Sequence, residues 1–85
     1  MTYTIVFANS ADNDLAKINN SDRKKISKRI EKLASDPLPQ GSEKLSGVEN
    51  CYRIRQGDYR IIYTIEGKKL IVWIHKIGHR REVYR

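Results

Sequence analysis

Three arginines at strand-like spacing are the residues of this chain best suited to chemistry. Arg53 and Arg55 lie two positions apart in CYRIR, and Arg60 follows in YRIIYTI. Side chains alternate across a strand, so Arg53 and Arg55 share one face while Tyr52 and Ile54 point to the other. Hairpin pairing can bring Arg60 beside them. Because a guanidinium binds phosphate with two parallel hydrogen bonds, the cluster predicts a phosphate-binding surface. The alternative interpretation is a set of solvated charges that protect an open sheet.

A second basic group, GHRREVYR, ends the sequence. It contains His79, Arg80, Arg81 and Tyr84, and it directly follows an apolar run that is typical of a strand. If that strand adjoins the arginines, these side chains can reach the same face. A tyrosine ring can stack on an unpaired base, and its hydroxyl can donate or accept a hydrogen bond. A solvated basic tail is the alternative.

The sequence does not favour metal-dependent chemistry. Asp58 and Glu66 fall in predicted turns, no Asp, Glu and His cluster has metal-ligand spacing, and no cofactor is expected. RNA needs no external nucleophile, because its 2′-hydroxyl can attack the adjacent phosphate when cations stabilise the anionic transition state. His75, Trp73 and Cys51 are interpreted as structural residues.

The length and the charge distribution of the sequence indicate a single domain with a polyanionic partner. The 85 residues predict one domain, 1–85, and the net charge of +7 divides unevenly, with +1 on residues 1–43 and +6 on residues 44–85. Nucleic acid is the expected partner of such a basic half, and a membrane surface is disfavoured because that half is predicted to form strands. No secretory leader or membrane span is evident, which predicts a cytoplasmic protein.

The pattern of elements predicts an α+β fold in the order β-α-α-β-β-β. YTIVFA is typical of a strand, Ser10 and Ser21 are expected to cap two amphipathic helices, and Pro37 ends the second. Residues 35–50 are predicted to be a loop, although EKL can form a short extended piece. CYRIR, YRIIYTI and KLIVWIHKI then form an antiparallel meander. Two helices cover only one face of this sheet, so the other face is open to a ligand.

The sequence from Tyr3 to Arg85 resembles the RelE-type toxins of the RelE/ParE superfamily. The resemblance rests on EKLSGVENCYRIRQGDYRIIYTI followed by VWIHKIGHRREVYR. It implies a small antiparallel sheet with two N-terminal helices. It also implies the toxin of a type II toxin–antitoxin module, which cleaves mRNA in the ribosomal A site and is silenced by a RelB-like antitoxin. The expected partners are therefore that antitoxin and the ribosome with its mRNA, without a membrane or a small-molecule cofactor.

The resemblance also implies roles for individual residues. Arg53 and Arg55 stand where well-studied members have lysines, Arg60 matches the arginine of the family's GYR segment, and Arg80 and Tyr84 match an arginine and a tyrosine of the site. The catalytic set is Arg55, Arg60, Arg80 and Tyr84, and the RNA-binding set is Arg53, His79, Arg81 and Lys44.

The two arginines that replace lysines leave the general base open. A guanidinium remains protonated, so Arg53 and Arg55 can bind charge but cannot accept a proton. Tyr84, His79, a water molecule or an rRNA group remain as candidates. Two other functions also remain, namely a ParE-like inhibitor of DNA gyrase and a catalytically silent RNA-binding module.

Overall fold

The computed structural model describes residues 2–79, which form the predicted α+β fold. Two helices follow the first strand, and a short 3-10 turn over residues 32–34 follows the second helix. The remaining strands complete a five-stranded sheet. In chain order the elements are β1 (Thr4–Phe7), α1 (Asn9–Ala16), α2 (Asn20–Glu31), β2 (Glu43–Lys44), β3 (Cys51–Gln56), β4 (Tyr59–Glu66) and β5 (Ile71–His79).

The sheet has the order β1-β5-β4-β3-β2 and is mixed rather than purely antiparallel. The meander β3-β4-β5 is antiparallel, as predicted. β1 pairs in parallel with β5, which the sequence pattern did not reveal because the two strands are far apart along the chain. The short extended piece at EKL is a real edge strand, β2, paired antiparallel with β3.

Both helices begin earlier in the chain than expected from the predicted N-caps, Ser10 and Ser21. The N-cap of α2 is Asn19, whose side chain accepts a hydrogen bond from the backbone N–H of Asp22 at 2.9 Å. The N-cap of α1 is Ala8, which makes no side-chain cap hydrogen bond, and Ser10 lies inside the helix with its hydroxyl donating to the backbone carbonyl of His75 at 2.7 Å. Both predicted caps were therefore wrong. Ser10 makes a long-range hydrogen bond instead, and Asn19, whose residue type is equally favoured at an N-cap, precedes Ser21 and starts α2 earlier.

The core lies between the helices and one face of the sheet. Its members are apolar residues at helical spacing on one side and at alternate strand positions on the other: Ala11, Ile18, Ile26, Ile30 and Leu33 against Ile54, Ile61, Tyr63, Val72, Ile74 and Ile77. The Tyr63 hydroxyl donates to the carbonyl of Pro37 at 2.7 Å, which ties the chain after α2 to the sheet. The prediction that both helices cover one face is confirmed.

α1 also protects the edge of β5 beyond the end of β1. The last β1 pair joins Phe7 to Ile74, and the next residue, Ala8, donates its N–H to the Ile74 carbonyl at 2.9 Å. The Ser10 hydroxyl bonds the next carbonyl along β5, and the Asp14 carboxylate accepts the backbone N–H of Ile77 at 3.1 Å. Side chains of a helix thus satisfy backbone groups that a neighbouring strand would otherwise pair.

β5 contains one extra residue relative to β4. Ile62 pairs with Lys76 and Tyr63 pairs with Ile74, so His75 has no opposite residue. This is the arrangement of a β-bulge, which breaks the strict alternation of faces along the strand. No helix within residues 2–79 has the length and apolar character needed to span a membrane.

Candidate functional site

The three strand arginines meet on the sheet face opposite the helices, here called the arginine face. Arg55 pairs directly with Arg60 across the β3–β4 hairpin, and Arg53 pairs with Ile62 two residues away. Paired residues of an antiparallel ladder share a face, and their Cβ atoms lie about 5 Å apart. A two-residue turn sets this register, with Gly57 at φ +61° in its first position, as in a type II′ turn. The structure therefore places Arg60 beside Arg53 and Arg55, a proximity that the sequence allowed but did not specify.

The three arginines differ greatly in exposure. The Arg55 side chain is 56% exposed and the Arg53 side chain is 13% exposed, while Arg60 is buried at 7%. The sequence predicted ordinary exposed strand charges, and this expectation holds only for Arg55. Charged side chains are rarely so well buried unless a charge partner or hydrogen-bonding groups compensate for lost hydration, so the surroundings of Arg53 and Arg60 must provide such compensation.

Glu43 is the acidic residue of this cluster, and the sequence analysis missed it. Glu43 pairs with Arg53 across the β2–β3 ladder and therefore lies on the arginine face. One carboxylate oxygen is 2.9 Å from Arg53 Nη2, and the other is 3.5 Å from Arg55 Nη2. A single carboxylate therefore bridges two guanidinium groups. Its only sequence signal was the possible extended piece at EKL, which did not specify a partner strand.

Hydrogen bonds continue along the same face towards the β4–β5 connection. Thr64 Oγ1 lies 2.8 Å from His75 Nε2, and Trp73 Nε1 donates to Glu66 at 3.0 Å. These contacts agree with the structural interpretation of His75 and Trp73. Cys51 is buried, and burial raises the pKa of its thiol above the ordinary value, so its structural interpretation is also supported.

Two predicted RNA-binding residues lie on the opposite face. Lys44 pairs with Tyr52, and His79 pairs with Tyr59, so both share the helix-covered side of the sheet. The His79 ring packs edge-on against Tyr59, with centroids 5.7 Å apart, beside a cleft of about 310 Å³. The expectation that His79 would reach the arginines fails geometrically, because the bulge at His75 changes the alternation of β5.

The remaining predicted site residues, Arg80, Arg81 and Tyr84, lie outside the described residues. Within residues 2–79 the chemistry of the arginine face is that of an anion-binding surface. Its guanidinium groups can donate hydrogen bonds and neutralise charge, but they cannot remove a proton at ordinary pH. The described residues include no group of three or more His, Cys, Asp or Glu side chains arranged to hold a metal ion.

Comparison with known proteins agrees with this architecture. A family model described as the ParE toxin of the parDE type II toxin–antitoxin system matches residues 5–84. The chain is 28% identical over 88 residues to the mRNA interferase RelE of Shigella flexneri, covering 99% of this chain and 92% of that protein. It is 32% identical over 75 residues to the putative toxin RelE1 of Methanocaldococcus jannaschii, covering 85% and 83%.

Among solved structures, the archaeal RelE–RelB complex from Pyrococcus horikoshii contains a chain that matches with a TM-score of 0.83 at 27% identity, covering 94% of this chain and 97% of that one. The sequence matches and the fold therefore agree over nearly the whole length of the protein. This chain belongs to the RelE-type toxins of the RelE/ParE type II toxin–antitoxin superfamily.

Proposed function

We propose that this toxin is a ribosome-dependent endoribonuclease that cleaves mRNA in the A site. The observation that carries the proposal is the clustering of Arg53, Arg55 and Arg60 on a sheet face that the helices leave uncovered. The name of the Shigella relative, mRNA interferase RelE, supports the same activity. A basic surface of this kind attracts polyanionic RNA because each neutralised phosphate releases condensed counterions.

In the proposed reaction the 2′-hydroxyl of the RNA attacks the adjacent phosphate, and the 5′-oxygen of the next nucleotide leaves. Arg55 and Arg60 stabilise the pentacovalent anion, while Arg53 contributes to phosphate binding. The products are a 2′,3′-cyclic phosphate, or the 3′-phosphate derived from it, and a 5′-hydroxyl. No metal ion takes part in bond breaking.

Groups other than these arginines must transfer the protons, because a guanidinium group stays protonated. The resemblance assigns Arg80 to the phosphate or leaving oxygen and Tyr84 to the nucleotide, and the neighbouring Arg81 is proposed as a further RNA contact because of its positive charge. Tyr84, a water molecule and an rRNA group remain the candidates for the general base, because His79 lies on the opposite side of the sheet from the arginines. We favour Tyr84, although its hydroxyl, with an ordinary pKa of about 10, would need that pKa lowered by neighbouring cations.

The chain is proposed to bind a RelB-like antitoxin. The Pyrococcus relative is described as a RelE–RelB complex, and the +6 charge of residues 44–85 suits an acidic partner. Expression of the toxin alone should stop growth, and co-expression with a short acidic protein encoded beside it should restore growth. Harmless expression of the folded toxin at a high level would contradict the toxin function.

The cleavage proposal is tested by in vitro translation of a defined mRNA, followed by primer extension and analysis of the RNA ends. Breaks in codon register that require ribosomes, with a 5′-hydroxyl on the downstream fragment, are expected. A 5′-phosphate and a free 3′-hydroxyl would show that water is the nucleophile and would refute the 2′-hydroxyl mechanism.

Inhibition of DNA gyrase is the second candidate, because the matching family model describes a ParE toxin. In that case the protein should leave mRNA intact and cause DNA breaks that depend on gyrase. A catalytically silent RNA-binding module would produce neither type of break. The same preparation tested in both assays therefore separates the three functions.

A further inference from the structure

We propose that the Glu43 carboxylate occupies, in the unliganded toxin, the position that a substrate phosphate takes between Arg53 and Arg55. RNA binding would then require displacement of Glu43 from the two guanidinium groups. This inference rests on the proposed binding of RNA at the arginine face, and it identifies Glu43 as an internal competitor for that site.

The geometry of Glu43 is that of a bound anion. Its two oxygens contact different arginines, at 2.9 Å from Arg53 Nη2 and 3.5 Å from Arg55 Nη2. A phosphate diester also presents two oxygens that share one negative charge to arginine donors, so it can replace a carboxylate in such a pair of contacts.

The exposure of the three side chains indicates how the exchange can occur. Glu43 is 49% exposed and Arg55 is 56% exposed, whereas Arg53 is only 13% exposed. The glutamate comes from β2, an edge strand of two residues with few backbone hydrogen bonds to hold it. Glu43 can therefore withdraw into solvent while Arg53 remains in place for the incoming anion.

The test compares Glu43→Gln with Glu49→Gln. Glu49 is an exposed residue of the same connecting segment, so its substitution changes the net charge of the protein equally without touching the arginine pair. Binding of inorganic pyrophosphate is measured at low ionic strength from the arginine side-chain NMR signals, because added salt screens exposed charges. Thermal unfolding of both variants establishes that each is folded.

Glu43→Gln should bind pyrophosphate about two- to fivefold more tightly than Glu49→Gln, the range expected from loss of a partly exposed ion pair. Glu43→Asp keeps the charge but withdraws the carboxylate by one methylene, so its affinity should lie between those of the wild type and Glu43→Gln. Equal affinities of the two glutamine variants would show that only net charge matters and would overturn the proposal.

Weaker binding by Glu43→Gln would also overturn it, because the carboxylate would then be ordering the arginines for the anion. Absence of pyrophosphate binding to Glu43→Gln would show that the arginine pair is not an anion site. Failure of the proposed enzyme function can be told apart from failure of this inference. If Glu43→Gln binds pyrophosphate more tightly but the toxin does not cleave mRNA on the ribosome, the competition by Glu43 is supported and the endoribonuclease activity is refuted.

Discussion

The two faces of the sheet use the same strands for different purposes. On the helix-covered face, alternate residues of β3, β4 and β5 are apolar and almost completely buried, as Ile54, Ile61 and Ile74 show. On the arginine face the intervening positions carry Arg53, Arg55 and other polar groups. Because neighbours in one strand point to opposite sides, the toxin can change its binding surface without replacing the residues that hold the fold together.

The largest effect is expected from a matched pair of isoleucines on the two faces. Ile61 is fully buried against the helices, while its neighbour Ile62 is half-buried on the arginine face. Ile61→Ala should lower the free energy of unfolding by about 2 to 5 kcal/mol, because it leaves a cavity, and Ile62→Ala by about 1 kcal/mol. Urea denaturation followed by circular dichroism measures both. Equal losses would show that the division between a stabilising face and a binding face is wrong.

For Arg55 on the arginine face, a large loss of activity with little loss of stability is expected. Arg55→Ala should reduce mRNA cleavage by about 10²- to 10³-fold, the effect of losing a donor to a transition-state anion. Its free energy of unfolding should change by no more than about 0.5 kcal/mol, because the side chain is exposed. Arg60→Ala should reduce cleavage as strongly, but it should also lower stability, because Arg60 is buried.

Lys68→Ala is the control for the Arg55 prediction, since it removes one exposed positive charge from the β4–β5 connection. It should change cleavage much less than Arg55→Ala does. Primer extension measures cleavage in all variants, and urea denaturation measures their stability. Full toxicity of a folded Arg55→Ala and Arg60→Ala double variant would exclude the assignment of these arginines to the scissile phosphate.

Alkaline pH should destabilise the helix-covered face through Tyr63. Burial raises the pKa of Tyr63 from 10.0 to about 12, so the unfolded chain loses this proton at a lower pH than the folded protein. The resulting contribution to stability is fully present below pH 10 and is lost as the pH rises from 10 to 12, by about 2 kcal/mol.

Tyr63→Phe provides the comparison for this alkaline loss. The variant should lose about 1 kcal/mol at neutral pH, because its hydrogen bond to Pro37 is missing, and should show a smaller decline above pH 10. Cys51, whose pKa is also raised, is present in both proteins and does not affect the difference. Parallel stability curves from pH 9 to 12 would contradict the assignment to Tyr63.

The smallest effect is expected from Lys44, which was predicted from the sequence to bind RNA. It shares the side of the sheet occupied by Tyr52, so it cannot join the arginine pair without reaching around the edge strand. Lys44→Ala should therefore reduce cleavage by less than about fivefold, the range of a single exposed charge interaction. A loss as large as that of Arg55→Ala would show that RNA contacts both sides of β2.

Local patterns predicted the parts of the site that depend on neighbouring residues. The alternation in CYRIR separated Arg53 and Arg55 from Ile54, and the glycine-containing turn after β3 allowed Arg60 to lie beside them, although the sequence did not specify the register that pairs Arg60 with Arg55. The α+β order and the side covered by the helices followed from the periodicity of apolar residues. These features require no knowledge of partners far along the chain.

Features that depend on distant partners were not predictable in the same way. The parallel pairing of β1 with β5, and the contact of Glu43 with two arginines of the next strand, arise only when the sheet assembles. The cap expected at Ser10 failed for the same reason, since its hydroxyl bonds the carbonyl of His75, 65 residues away. The burial of Arg60 likewise depends on the assembled fold and not on its local sequence.

The single unpaired residue in β5 has a consequence for comparing this toxin with its relatives. After His75, Ile77 returns to the core and Gly78 pairs with Arg60, whereas uninterrupted alternation from Trp73 would place Ile77 and His79 on the arginine face. An alignment that ignores this extra residue would therefore shift every later residue of β5 by one position and assign it to the wrong side of the sheet. Residues of β5 in two relatives are equivalent only when the position of the bulge is matched first.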